Sequence, residues 1–383
     1  MKIIYTIAGT YRAAGMERVL ANKANALSAA GHEVLIVTTD QKGRKNAFPM
    51  DPAIRQTDLA IGYEDNNGSS FLNKLMHYPV KQVRHRRLLA ELLEKEKADI
   101  VDSMFCGDER FLPKIKDGSR KVLEIHFSRY KRLQYGRKGV WAFADKWRST
   151  KDLEAASSFD RFVVLTDEDR TYWEADAAKA GKRLDNLRVI PNARTFRCAT
   201  PACLEEHLVI AVGRYNVQKH LDALLEAWKI AVKGDWKLWL VGDGEEREAL
   251  ERKAQELGIT SSVRFGSADS SNIVKVYQDA SILAMSSRYE GLPMVLIEAQ
   301  AAGVPAVSFA CKCGPKDVIT DGKDGFIVEE EDIAALAARL SELMGDDALR
   351  KRMGAAAYKA SERFDESIVM QQWYDLFNEL TNA

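Results

Sequence analysis

Cysteine is scarce: Cys106, Cys198, Cys203, Cys311 and Cys313 are five scattered residues in a chain of 383. That excludes a secreted disulfide scaffold and favours a reducing compartment. No stretch approaches eighteen uncharged apolar residues, so nothing reads as a bilayer span, and the apolar run Ile3–Ala8 is too short for a signal peptide. Nine prolines and 24 glycines exclude collagen and low-complexity chains. Neither half has G-x-G-x-x-G after its first strand, and the P-loop pattern is missing too, which disfavours a nicotinamide oxidoreductase and a P-loop nucleotidase. No D-x-D pair follows an apolar strand. Asp243 and Asp269 are isolated, Asp346-Asp347 sits at a helix boundary, and Cys311 and Cys313 have no further Cys or His nearby to complete a zinc site. The expectation is a cytoplasmic protein, free or peripheral at the inner face of the membrane, with no metal and no cofactor.

What is there suits an ordinary enzyme: 46% apolar and 29% charged residues, and enough length for two domains. The 56 basic and 56 acidic residues cancel overall but not locally. Residues 1–190 hold 34 basic and 26 acidic side chains, a balance of +8, and residues 191–383 therefore hold 22 and 30, a balance of −8. Ile3–Ile7 reads as a buried strand, Glu17–Ala30 as a helix and Val34–Val37 as the next strand, a βαβ unit. A helix over Lys81–Glu96 and strands at Ile100–Val101, Lys121–His126, Arg161–Thr166 and Arg188–Asn192 continue it. Residues 193–206 lack periodicity and read as a linker and part of a hinge. The pattern then restarts, with strands at Leu208–Val212, Lys237–Val241, Val263–Phe265, Ile282–Met285, Ala306–Phe309 and Gly325–Val328. The expected fold is α/β, with Rossmann-like domains at 1–195 and 206–362. A last helix at 363–383, carrying Trp373 and Phe377 on an apolar face, is expected to cross back to the first domain.

The second domain offers groups for a nucleoside diphosphate. Gly213-Arg214 follows a strand and Lys219 precedes a helix, so a guanidinium and an ammonium can converge on a diphosphate at a helix amino terminus. Gly242-Asp243-Gly244 follows Leu238–Val241; a turn explains these glycines, and so does close approach of a base or phosphate. The sharpest segment runs from Ser286 to Ala299. Pro293 suits a first helical turn, which leaves Glu290, Gly291 and Leu292 in the preceding loop and puts Glu298 inside the helix. Glu298 lies among Leu296, Ile297 and Ala299, where a carboxylate is costly unless partnered; hydroxyls of a ligand are one such partner.

This segment resembles S-x-x-E-G-x-P-x-x-x-x-E-A of the retaining glycosyltransferases of family 4, with Glu290 and Glu298 matching their E-x7-E pair. The resemblance covers nearly the whole chain and implies a GT-B fold, two Rossmann-like domains facing each other across a cleft. It implies that Glu298 binds the nucleotide ribose and that Glu290 lies near the donor sugar and diphosphate. Arg214 and Lys219 match the basic pair that neutralises the diphosphate. Ala14-Gly15-Met16-Glu17-Arg18 resembles G-G-x-E-R with Ala14 in place of the first glycine, so Gly15 would approach a phosphate and Glu17 would line the cleft. His126 matches the histidine facing the donor sugar, while Thr166 and Asn192 either line the same cleft or serve as turn residues. Cys311–Asp317, containing Gly314-Pro315, resembles a subgroup segment near the donor sugar, with Ala310 where an aspartate is common.

The implied reaction moves a hexose or N-acetylhexosamine, with retention, from a nucleotide diphosphate sugar to a glycan or lipid-linked hydroxyl in cell-surface polysaccharide synthesis. By resemblance to the subgroup with the G-P segment, the donor is a UDP-sugar. Residues 119–148 contain nine basic residues among aromatics, and Lys81, Arg84, His85, Arg86 and Arg87 form a second basic run. Both suit an anionic membrane surface. Nucleic acid is not expected, for want of a helix-turn-helix or finger, and the oligomeric state is left open. An inverting transferase, an epimerase and a catalytically silent sugar-nucleotide-binding protein remain alternatives.

Overall fold

The computed structural model describes every residue except 67–70, 132–138, 268–271 and 383. Arg132, Leu133, Tyr135, Arg137 and Lys138 of the basic segment, and Asp269, lie outside the described residues. The chain divides into two compact units, one of Met1–Leu165, Arg170–Ile190 and Val369–Ala383, the other of Thr166–Asp169 and Pro191–Ile368.

Among the described residues, the first unit holds seven strands, β1 (Lys2–Ile7), β2 (Glu33–Thr38), β3 (Arg55–Asp58), β4 (Ile100–Ser103), β5 (Arg120–Glu124), β6 (Arg161–Val164) and β7 (Leu187–Val189), in the order 3-2-1-4-5-6-7. All their pairings are parallel. The second holds β8 (Leu208–Val212), β9 (Lys237–Val241), β10 (Val263–Gly266), β11 (Ile282–Met285), β12 (Ala306–Phe309) and β13 (Gly325–Val328), again parallel and in the order 10-9-8-11-12-13. Helices cover both faces, which is why the central strands are continuous apolar runs. Ile4, Leu35, Val101 and Leu123 meet in one core, and Ala211, Leu240, Ala284 and Val307 in the other.

The differences from the expected elements have local causes. β3 is Arg-Gln-Thr-Asp, an edge strand with little burial and no apolar pattern to announce it. One helix runs from Phe71 rather than Lys81 and carries Pro79 inside it, forgoing a ladder bond without ending. β5 stops at Glu124, so His126 lies two residues beyond the strand rather than on it. Pro293 is the N-cap of its helix, Met294–Ala302, not a residue of the first turn.

Residues 193–206 form no helix or strand, yet they are tied into the second unit. Arg194 pairs with Asp365 and donates to the Ser361 hydroxyl at 2.8 Å. The Cys198 carbonyl accepts from the Tyr358 hydroxyl at 2.6 Å, and the buried Arg350 guanidinium donates to the Leu204 carbonyl. An aperiodic segment must still satisfy its buried backbone groups, and here the side chains of the second unit do so.

The last helix, Glu366–Thr381, joins the first unit from Val369 onward. Val369, Met370, Trp373, Leu376, Phe377 and Leu380 form its buried face. The Arg120 guanidinium donates to the Leu380 carbonyl at 3.1 Å, and Arg161 pairs with Glu379. Phe377→Ala should cost the first unit about 3–5 kcal/mol and lower its calorimetric transition while the second unit's transition stays in place. A single transition shifted as a whole would count against separate cores.

Candidate active site

In open parallel sheets, ligands sit beyond the carboxyl ends of the strands where the strand order reverses. In the second unit that point lies between β8 and β11, paired through Val209 with Ile282 and Ile210 with Leu283. The loop after β8 carries Gly213, Arg214 and Lys219; the loop after β11 carries Ser286 to Pro293. The two loops are clamped together. The Ser286 hydroxyl donates to the Lys219 carbonyl at 2.9 Å, the Arg288 N–H to the Gln218 carbonyl at 2.9 Å, and the Gln218 amide to the Tyr289 carbonyl at 2.9 Å. A third loop, after β12, joins them where the Glu290 N–H donates to the Lys312 carbonyl at 3.0 Å. Gly314, with φ +98°, admits no side chain, since a Cβ there would lie 2.4 Å from Pro293 Cδ.

Within this clamp Lys219 Nζ donates to Glu290 Oε1 at 2.7 Å, and both side chains are largely shielded (18% and 11% exposed). Arg214 is not part of the pair. Its guanidinium is 72% exposed and lies 3.2 Å from Glu245, an ion pair that solvent weakens. The two cations expected to converge thus have different partners. Gly242, with φ +154°, is required by packing: a Cβ there would fall 2.0 Å from the Gly213 carbonyl oxygen, and one on Gly244 would fall 2.3 Å from that of Tyr215. The protein's own backbone fills the space that a ligand might have explained.

Glu298 is 7% exposed, and its carboxylate has two hydroxyl donors, Thr195 at 2.8 Å and Tyr277 at 2.7 Å. These meet the burial cost that its apolar neighbours raised. Neither Thr195 nor Tyr277 was legible as a partner, because both are far from Glu298 in sequence. Gly291 lies against Gly314, and Leu292 is buried.

In the first unit, Gly15 opens the helix Gly15–Ala29, and a Cβ added there would meet nothing within 4 Å. Glu17, in the same first turn, is 6% exposed; burial raises its pKa, against the pull of its own backbone N–H and of the charges on Arg12 and His126. Beneath them lies a buried ionic cluster that sequence reading missed. Lys23 donates to Glu124 Oε2, its Nζ is 3.7 Å from Asp102 Oδ2, and His126 Nε2 is 3.0 Å from Glu124 Oε1. Burial pushes both carboxyls up. For Asp102 burial prevails, and its pKa stands at about 7; for Glu124, Lys23 and His126 outweigh burial and hold it down to about 2. The available signal was a lysine set among Leu20, Ala24 and Leu27 on the apolar stripe of a helix.

Thr166 caps the helix Asp167–Lys179, its hydroxyl accepting from the Asp169 N–H at 3.1 Å. Asn192 is buried just after β7. The basic segment is not uniformly on the surface. Lys121 is buried with Asp117, and Arg129 donates to Asp176 at 3.1 Å and to the Ser149 carbonyl at 2.9 Å; of the second run, His85 is fully buried. Exposed apolar groups remain beside the surface cations: Val80 and Val83 near Arg84, Arg86 and Arg87, and Phe143 and Trp147 flanking Lys146. Among the described residues, no group of three or more His, Cys, Asp or Glu is placed to hold a metal ion, and no helix is long and apolar enough to cross a membrane.

Two family descriptions match adjoining parts of the chain: "Glycosyltransferase Family 4" over residues 13–194 and "Glycosyl transferases group 1" over residues 195–360. The amylovoran biosynthesis glycosyltransferase AmsD of Erwinia amylovora is 35% identical over 57% of the chain, an alignment that spans 62% of that protein, just under two thirds of its length. The Campylobacter jejuni GalNAc-alpha-(1->4)-GalNAc-alpha-(1->3)-diNAcBac-PP-undecaprenol alpha-1,4-N-acetyl-D-galactosaminyltransferase is 28% identical over the full length of both chains. Among solved structures, a glycine-to-arginine mutant of S. aureus TarM in complex with Fondaparinux, alpha-GlcNAc-glycerol and UDP superposes with a TM-score of 0.75 at 17% identity, covering 98% of this chain and 99% of that one.

Gly15 and Gly242 make opposite predictions. Gly242→Ala should cost at least about 1–3 kcal/mol, from strained φ before any clash, and should lower the melting temperature. Gly15→Ala should leave stability unchanged or raised by about 0.4–1 kcal/mol while weakening binding of a nucleotide sugar in calorimetric titration. Unaltered binding would show that no ligand approaches Gly15.

Proposed function

Because the chain is a GT-B-fold glycosyltransferase related to the family 4 and group 1 glycosyltransferases, we propose that it transfers a hexose or N-acetylhexosamine, with retention, from a UDP-sugar to a hydroxyl of a glycan or lipid-linked acceptor in cell-surface polysaccharide synthesis. The observation that carries this reading is the shielded Lys219–Glu290 pair, fixed by three cross-loop hydrogen bonds at the carboxyl ends of β8 and β11. The C. jejuni relative's name supports a lipid-linked acceptor, and the UDP in the TarM complex supports the nucleotide.

In the proposed reaction the bond from the anomeric carbon to the diphosphate oxygen breaks, and the diphosphate leaves with the electron pair. The acceptor oxygen attacks the same face, and its proton passes to the departing phosphate. Lys219 stabilises the growing negative charge, and Arg214, loosely held at the surface, swings in to join it. Glu290 keeps the ammonium aimed and lies near the sugar, while Gly213, Gly242, Gly291 and Leu292 shape the donor loops. Glu298 takes the ribose hydroxyls. In the first unit, Gly15 gives a phosphate or acceptor close access to the helix amino terminus, and His126 serves the sugar. The leaving charge is met by these cations, so transfer should persist in EDTA.

A donor screen read by mass spectrometry, with a membrane-lipid extract as acceptor, tests the reading. Transfer of a UDP-linked sugar with the α-configuration kept is the expected result, and a product of opposite configuration would overturn retention. Glu298→Gln should raise the donor KM about tenfold, a loss of roughly 1.4 kcal/mol; unchanged kinetics would remove its ribose role. The exposed apolar groups beside Arg84, Arg87 and Lys146 support docking of the first unit on an anionic membrane. Val83→Asp and Trp147→Asp should each weaken binding to anionic vesicles with transfer to a soluble acceptor retained; equal binding to neutral vesicles would argue against charge-led docking.

A further inference from the structure

We propose that Glu124 is the positioning residue for His126, and that the buried ammonium of Lys23 holds it to that task. The inference rests on the reading of His126 as a residue of the transfer reaction. In extended chain, residues two apart face the same way. Leu123 and Ile125 enter the core of the first unit, and Glu124 and His126 turn together to the other side. There the carboxylate is divided between two partners. Oε2 accepts from Lys23, and Oε1 lies 3.0 Å from His126 Nε2. The imidazole contact is a close charge contact bent away from a linear hydrogen bond, since Nε2 lacks a well-aligned acceptor.

Lys23 cannot leave its place. Its side chain is 4% exposed, its ammonium lies 4.9 Å from the centre of the Tyr5 ring and 3.7 Å from that of Trp373, and Asp102 Oδ2 stands 3.7 Å away. Five elements therefore converge on one cation: β1, β4, β5, the helix Gly15–Ala29 and the C-terminal helix. An ion pair needed only for folding would require one carboxylate beside Lys23. Here there are two, and the one that is shared with His126 is the one drawn into direct contact. Glu124 so held favours the imidazole proton on Nε2 and leaves Nδ1 with a free lone pair. Glu17 is a further charged group close enough to act on the ring.

Asp102 makes the test practical. Its carboxyl stands 3.7 Å from the Lys23 ammonium, so in Glu124→Gln it is placed to take over as the partner of that charge. The measurement is imidazole 15N NMR of His126 in the full chain, alongside kcat and donor KM. The native protein should show the Nε2-protonated tautomer. Glu124→Gln should show a mixture of tautomers, kcat lower by about 10–100-fold and a donor KM within about twofold, and Glu124→Asp should recover part of both losses. If Glu124→Gln fails to fold, the double variant Lys23→Gln/Glu124→Gln, which removes both charges, carries the same readouts. A folded variant with the native tautomer and the native kcat overturns the proposal. His126→Ala separates the two claims. Native transfer in that variant sinks the role of His126 whatever Glu124 does, whereas loss of transfer there, with Glu124→Gln native in rate and tautomer, sinks Glu124 alone.

Discussion

A parallel sheet covered on both faces by helices leaves no wet surface along its strands. Five of the six residues of β1 are buried, as are all four of β4 and all four of β11. Polar chemistry is therefore favoured at the loops beyond the strand ends, and most of the candidate residues lie there. Gly15 follows β1, His126 follows β5, Arg214 and Lys219 follow β8, and Glu290 follows β11. Asp102 and Glu124 depart from that placement, sitting on strands and carrying carboxyl groups into the interior. Isolated charges there would cost several kcal/mol each. Lys23 pairs with Glu124 and holds it ionised, whereas at Asp102 burial outweighs Lys23 and raises the pKa, which lessens the cost of that carboxyl.

The same burial of strands decides what the chain discloses in one dimension. Buried strands are short apolar runs, and β11, β12 and β13 are legible to the residue on that pattern. β3 is invisible for the converse reason: an edge strand needs no apolar face, and Arg55–Asp58 has none. The loop residues were legible where the motif is local. Glu290 and Glu298 announce themselves within one turn-and-helix segment. Their partners do not, since the Glu290–Lys219 contact joins residues 71 apart in sequence and the Glu298–Thr195 contact residues 103 apart. The glycines show how a correct position can carry an incorrect reason. Gly242 was explained by a turn or by a ligand, and its actual constraint is the carbonyl of Gly213, a close approach of backbone to backbone that only the folded chain creates.

Charge counting misleads in a similar way. Nine basic residues between 119 and 148 suggested a surface, yet Lys121 and Arg129 are buried in pairs. Conversely the acidic balance of residues 191–383 is no obstacle to an anionic ligand. Exposed carboxylates are screened within roughly 8–10 Å at ordinary ionic strength, so a phosphate at the end of β8 responds to what lies beside it. That is Lys219, whose charge is shielded from water and correspondingly stronger.

In the proposed reaction, Lys219 and Arg214 divide the work by their mobility. Lys219 is immobilised by Glu290, and its loop by Ser286, Gln218 and Arg288, so its charge stands ready without reorganising when a diphosphate departs, which is the condition under which electrostatic stabilisation is most effective. Such a group gains nothing by searching. Arg214, exposed and held by a single carboxylate, is poorly suited to preorganisation but well suited to capture, because a bidentate guanidinium–phosphate contact is stronger than the surface pair it would replace. On this proposal Glu290 is the pivot. Its negative charge would repel a diphosphate if it stood alone, and paired with Lys219 it becomes the means by which the ammonium is kept in place until an anion of higher charge arrives to share it.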